Sequence, residues 1–345
     1  MKILKTNSGE LKLPGFFPDA TRGYIKGVSS DDLNKCNVSG VVVNTYHLLK
    51  EGLVDKIDKS GGIHKYMDFK KPVISDSGGF QVMSLIHRNP ELGKIERDKI
   101  IFNLDNKKIV FTPEKCIQLQ MKIGSDIIMC LDDCTNSSAS LKEQKISVIR
   151  TISWAKKCKI EFERLTKNKK KKPLLFAIIQ GGTNKPLRKK CAKGLIEIGF
   201  DGYAFGGWPV YERKLLVDIL KYTADLLPKD KIKYCMGVGK PEDIIKCVKM
   251  GYNLFDCVIP TRNARHKSLF VFKNNGLSLF VLNIKGKNKL SNKLISSNCK
   301  CELCRNYKIF ELYTLFSNRN PESIRLATIH NLTFYSELMK KLVKS

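Results

Sequence analysis

Residues 234–259 read YCMGVGKPEDIIKCVKMGYNLFDCVI. Two short apolar runs, YCMGV (234–238) and LFDCVI (254–259), flank a segment with a proline just inside its start and a glycine just past its end. Helices favour that asymmetry, so the stretch predicts strand, helix, strand. The same alternation runs upstream. Strand candidates are GVVVN (40–44), KPVIS (71–75), DIIMCL (126–131), PLLFAII (173–179) and GYAF (202–205). Helix candidates between them include TPEKCIQLQMKIG (112–124), residues 140–167 and ERKLLVDILKYTADLLP (212–228). Alternating β and α units imply an α/β fold with a parallel sheet. Seven or eight such units within about 250 residues fit a (β/α)8 TIM barrel better than an open doubly wound sheet.

A barrel predicts where chemistry belongs, because its active sites form beyond the C-terminal ends of the strands. Polar and glycine-rich motifs do follow the strand candidates: Asn44-Thr45-Tyr46-His47, Asp76-Ser77-Gly78-Gly79, Asp132-Asp133-Cys134, Gln180-Gly181-Gly182, Gly206-Gly207 and Asp256. None matches a dinucleotide fingerprint or a phosphate-binding P-loop, so no nucleotide cofactor is expected. The glycines suit a ligand held close to backbone.

Composition narrows the class. The chain has 345 residues, 42% of them apolar, enough for a full core. It carries 62 Lys and Arg against 33 Asp and Glu, a net charge of +29, which suggests a polyanionic partner, nucleic acid first. Only 12 of those 62 cations are arginine, so compositional drift toward lysine explains part of the excess. The run KNKKKK at 167–172 reads as a solvated loop. The N-terminus lacks an apolar run of signal-peptide length, and no membrane span is expected, which points to a cytoplasmic protein. Most of the 12 cysteines are scattered singly and read as small buried residues in a reducing compartment. Cys299, Cys301 and Cys304 are clustered instead, and His330 follows after 25 intervening residues. Three thiolates and an imidazole make a closed, structural zinc site with no position left for a catalytic water.

SDSGGFQVMSL (75–85), LDDCT (131–135), MGVGKPEDI (236–244), FDCVIPTRNAR (255–265), CKCELCRNY (299–307) and TIHN (328–331) together resemble the tRNA-guanine transglycosylases. The similarity runs from about Gly15 to Leu338, in the family's order. That family exchanges the wobble guanine of GUN-anticodon tRNAs for a 7-deazaguanine. Breaking an N-glycosidic bond while holding the sugar suits two carboxylates, one attacking the anomeric carbon and one shuttling a proton. The resemblance assigns Asp256 as nucleophile and Asp76 as general acid/base. It assigns Asp132, Gln180 and the Gly207 N–H to reading the base, and Phe80 and Met236 to sandwiching it. Arg262, Arg265 and Lys240 are expected on the tRNA anticodon loop, although Arg262 could also neutralise Asp256. The expected architecture is one catalytic unit, with 1–270 forming most of the barrel and 271–345 a zinc-binding subdomain with the closing helix. The expected assembly is a homodimer.

One loop departs from the family pattern: GGWPVYE (206–212) stands where GGLAVGE-like sequences are usual. Cys134 and Val210 match the bacterial pattern, and Glu212 matches an acidic residue near the substituent of the incoming base. The expected substrate is therefore 7-aminomethyl-7-deazaguanine (preQ1), with queuine the alternative. A reading from another class is a non-catalytic tRNA-binding accessory subunit. Retention of Asp76, Asp132 and Asp256 argues against it.

Overall fold

The computed structural model describes residues 2–105, 107–136, 138–274 and 276–344, and of Lys287 the backbone only. Eight parallel strands form one sheet: β1 (Gly15–Pro18), β2 (Val41–Val43), β3 (Val73–Ser75), β4 (Ile127–Met129), β5 (Leu174–Ile179), β6 (Gly202–Phe205), β7 (Ile232–Cys235) and β8 (Leu254–Cys257). Each pairs with its successor from β2 to β8, and β8 pairs with β1, setting Asp256 opposite Phe17. A parallel bridge between Asp19 and Val42, with the Ala20 N–H on the Val42 carbonyl at 2.7 Å, brings β1 back to β2. The sheet is a nearly closed barrel.

Successive side chains on a strand point to opposite faces, and the two faces here fill different cores. Phe17, Val42, Ile74, Ile127, Phe176 and Leu254 share one buried cluster with Leu4 and Leu11 of an N-terminal hairpin (Ile3–Thr6 with Gly9–Lys12) and with Leu13 just after it. Their neighbours Val41, Val43, Val73, Ile128 and Leu175 belong to the cluster shared with the helices. Asp126, just ahead of β4, binds the hairpin to the barrel. It accepts from the N–H groups of Ser8 and Val73, both at 2.9 Å, and pairs with His64 at 3.0 Å.

The helix expected over 140–167 runs Leu141–Thr166 from a Ser140–Glu143 capping box, and the helix of the opening stretch runs Pro241–Lys249. The segment 212–228 differs from expectation. Glu212 and Arg213 form a turn with φ of 46° and 64°, Lys214–Leu215 pairs with Val210–Tyr211, and the helix begins only at Val217. Three further antiparallel strands, Gly93–Ile95, Ile100–Leu104 and Lys107–Phe111, were not expected. After β8 come, among the described residues, the helix Ile259–Arg265, a hairpin (Ser268–Phe272 with Leu279–Asn283), a short 3-10 turn (Gly286–Asn288) and three α-helices. The last of them, Glu322–Lys344, packs against β1 and the helix Ile259–Arg265. No described helix is long and apolar enough to cross a membrane.

Candidate active site

Asp256 lies in β8, and its Oδ1 accepts hydrogen bonds from the Tyr234 hydroxyl at 2.7 Å and the Gly237 N–H at 2.9 Å. Burial pushes its carboxyl up to about 6 although both donors favour the charged form; the charge of Asp19 pushes the same way as burial. Asp76 follows β3. Its Oδ1 accepts from the N–H groups of Thr45 and Gly78, both at 3.0 Å, and its Oδ2 from Asn44 Nδ2 at 2.6 Å. Burial pushes Asp76 up to about 7, with Asp19 and Asp256 adding repulsion. Glycine is required at 78, where φ is 74° and a Cβ would lie 2.8 Å from the Tyr46 nitrogen. Asp76 and Asp256 line one cavity of about 360 Å³.

The wall of that cavity carries a third carboxylate. Asp132, buried beyond β4, accepts from Gln180 Nε2 at 2.6 Å, and burial pushes it up to about 7. Cys134 also lines the cavity, and burial pushes its thiol up to about 12 although the nearby Gln180 amide and Gly207 N–H favour its charged form. A neutral sulfur is a weak acceptor, and a ligand oxygen beside Gln180 and Gly207 would bind these donors better. Phe80 and Met236 line the cavity, and Trp208 meets Phe80 edge-on at 5.7 Å while donating its indole N–H to the Thr135 carbonyl at 3.2 Å. The neighbouring Asp133 is engaged elsewhere, in an ion pair with Arg150. The arrangement can hold a flat, hydrogen-bonding ring beside two carboxyls that titrate near neutrality.

A second constellation lies beyond the barrel strands. The ligand atoms of Cys299, Cys301, Cys304 and His330 all lie within 4.8 Å of one another. His330 Nε2 is 2.9 Å from the Phe270 carbonyl, which can only accept, so Nε2 carries the proton. The lone pair on Nδ1 then faces the sulfurs, 3.2 Å from Cys304 and 3.6 Å from Cys301. Three soft donors and an imidazole oriented by a backbone carbonyl fit a metal ion.

Residues 1–345 match the family model described as Queuine tRNA-ribosyltransferase. A queuine tRNA-ribosyltransferase of Caldanaerobacter subterraneus is 40% identical over 343 residues, covering 99% of this chain and 88% of that protein. One from a Psychrobacter species is 38% identical over 337 residues, covering 97% and 86%. One from Halothermothrix orenii is 38% identical over 342 residues, covering 98% and 88%. The chain belongs to the queuine tRNA-ribosyltransferase family.

In this family member Asp76, Asp132, Asp256, Phe80, Met236, Cys134, Gly207 and Val210 all line the one cavity, and Gln180 joins it through Asp132. The expected cations lie outside it. Arg262 and Arg265 sit on the helix Ile259–Arg265 just after Asp256, and Lys240 precedes the helix Pro241–Lys249. Among the described residues Arg262 forms no ion pair with Asp256; the Tyr234 hydroxyl and a backbone N–H hold that carboxylate instead. Glu212 is exposed at the hairpin turn, off the cavity wall, while Trp208, Pro209 and Val210 of the same loop line it. Sequence reasoning missed Tyr234 and Asp19. Tyr234 lies two residues before Met236, which follows the strand, and both line the cavity; that spacing of two could have flagged it. Asp19 follows GFFP, whose brevity and bounding prolines hid a strand.

Proposed function

We propose that the chain is a tRNA-guanine transglycosylase that exchanges the wobble guanine of GUN-anticodon tRNAs for preQ1. The observation that carries this reading is the convergence of Asp76 and Asp256 on one cavity, at about 7 and about 6, beside the Asp132–Gln180 pair. Ionised Asp256 attacks C1′ of the ribose. The C1′–N9 bond breaks, its electron pair leaves with guanine, and Asp76 supplies the proton. The resulting ribosyl ester on Asp256 is displaced by the incoming base, whose proton Asp76 takes back. Asp132 accepts the N1–H and 2-amino donors, and O6 accepts from the Gln180 amide and the Gly207 N–H. Phe80 and Met236 stack on the ring, a contact of about 1–3 kcal/mol for an aromatic face.

Arg262, Arg265 and Lys240 meet the anticodon loop around the cavity, giving position and salt-dependent affinity. Zinc on Cys299, Cys301, Cys304 and His330 is structural, since protein supplies all four ligands. The family resemblance extends the reading to a cytoplasmic homodimer, with 271–345 as a subdomain that braces the barrel. Val210 on the cavity wall favours the small aminomethyl base over queuine. Glu212 balances the ammonium only if the hairpin bends inward.

The test is base exchange into unfractionated tRNA with labelled guanine, preQ1 and queuine. Guanine and preQ1 are expected to enter and queuine to lag; equal use of queuine overturns the substrate assignment. Asp256→Ala is expected to abolish exchange and the covalent adduct while tRNA still binds. Appreciable exchange by that variant removes Asp256 as nucleophile.

A further inference from the structure

Arg188 lies in the helix Lys185–Ile198, and its side chain is 1% exposed. A buried guanidinium usually has a carboxylate partner, because an unpaired charge is costly in the interior. Here, among the described residues, it has none. Its Nε donates to the Gly182 carbonyl at 2.8 Å, Nη1 to Ile179 at 2.7 Å and Nη2 to Gly206 at 2.9 Å. Its plane sits over Phe205, 4.0 Å from the ring centroid. The Ile179 carbonyl also receives the Gly206 N–H at 2.9 Å, so the ends of β5 and β6 are tied through one cation.

The Gly206 carbonyl and the Gly207 N–H belong to one peptide. That unit is planar and trans, so the two groups point in opposite directions. Fixing the carbonyl on Arg188 therefore aims the N–H away from the guanidinium, and Gly207 itself lines the cavity together with Cys134. A hydrogen bond from a cation also polarises the peptide and strengthens the N–H as a donor. Gly206 leaves no slack for compensation, since a Cβ there would lie 2.5 Å from Ile178 and 2.6 Å from Gln180 Nε2.

We propose that Arg188 is a positioning residue for base exchange, acting through the Gly206–Gly207 peptide on the O6 of the bound guanine. Charge that spreads onto O6 as the glycosidic bond breaks then meets a donor that needs no reorganisation. This inference rests on the guanine-exchange reading of the cavity.

The test compares guanine with 6-thioguanine, which keeps N1–H and the 2-amino group but has a poor acceptor in place of O6. Exchange kinetics with each base are measured for wild type, Arg188→Lys and Arg188→Met, with folding checked by circular dichroism. Both variants are expected to lose about tenfold to a hundredfold in kcat/KM with guanine and much less with 6-thioguanine, so the preference between the bases collapses. If Arg188→Met does not fold, Arg188→Lys, which keeps the charge and one hydrogen bond, gives the same readout at smaller amplitude. Equal losses with both bases would mean a merely structural arginine and overturn the proposal, as would unchanged guanine kinetics. A wild type that exchanges neither base refutes the guanine reading itself.

Discussion

Tyr234 and Gly237 hold Asp256 closer to its ionised form than burial alone would allow, while Asp76 stays half-protonated near neutrality. A nucleophile must be ionised and an acid protonated, so the pair defines a window. Exchange should rise through about 6 as Asp256 ionises and fall above about 7 as Asp76 loses its proton. Both limbs are read from kcat/KM against pH. Tyr234→Phe removes a donor that favours the charged carboxylate, so the acid limb should move to higher pH with the alkaline limb unmoved. A profile flat from roughly pH 5 to 8.5 would refute the two-carboxyl assignment.

The N-terminal hairpin is an element with little apolar surface of its own, and Asp126 fastens it. That carboxylate accepts two backbone N–H groups and the His64 ring, and its partners hold it below the usual carboxylate range. Asp126→Ala leaves those donors without an acceptor and should cost about 1–3 kcal/mol. The contact with Asp126 raises His64, so the pair's contribution is full below the ordinary histidine value of 6.5 and fades as pH rises past the raised one. The loss in Asp126→Ala, followed by urea unfolding, should therefore be larger on the acid side. Equal losses at all pH would show that the backbone bonds matter and the ion pair does not. The hairpin lies with the barrel-interior cluster, and KM for guanine should not change.

At the scale of the molecule, the cysteine cluster connects the last helix to the barrel. His330 sits in the middle of Glu322–Lys344, which packs on β1 and on the helix that follows Asp256. A metal held there would fasten the last helix to the hairpin strand Ser268–Phe272 and to the helix that follows Asp256, and binding energy at a structural site is folding energy. Atomic analysis should find one zinc per chain in protein purified without chelator. Cys301→Ser should lose the metal and melt at a lower temperature, with a stability loss larger than the roughly 0.5 kcal/mol of a surface change. Protein without metal that melts as wild type does would end the structural-zinc reading.

The sequence by itself determined the alternation of strands and helices, the polar motifs at the strand ends and the cysteine cluster. These are local signals: β-branched runs, a proline and a glycine bracketing Pro241–Lys249, and thiols two and three residues apart. It also pointed to Asp76, Asp132 and Asp256 through motifs in order along the chain. Tertiary structure alone decided that those three carboxylates share a cavity, because each stands at or beyond the end of a different strand and only closure of the barrel brings them together. The strand GFFP, which completes that closure, is short and proline-bounded, and it becomes a strand by pairing with β8. The helix expected from Glu212 was displaced by a hairpin because left-handed turns at Glu212 and Arg213 leave no trace in hydrophobic periodicity. Arg188 read as one more helix cation; its burial against three carbonyls follows from packing between β5 and β6, which no local pattern encodes.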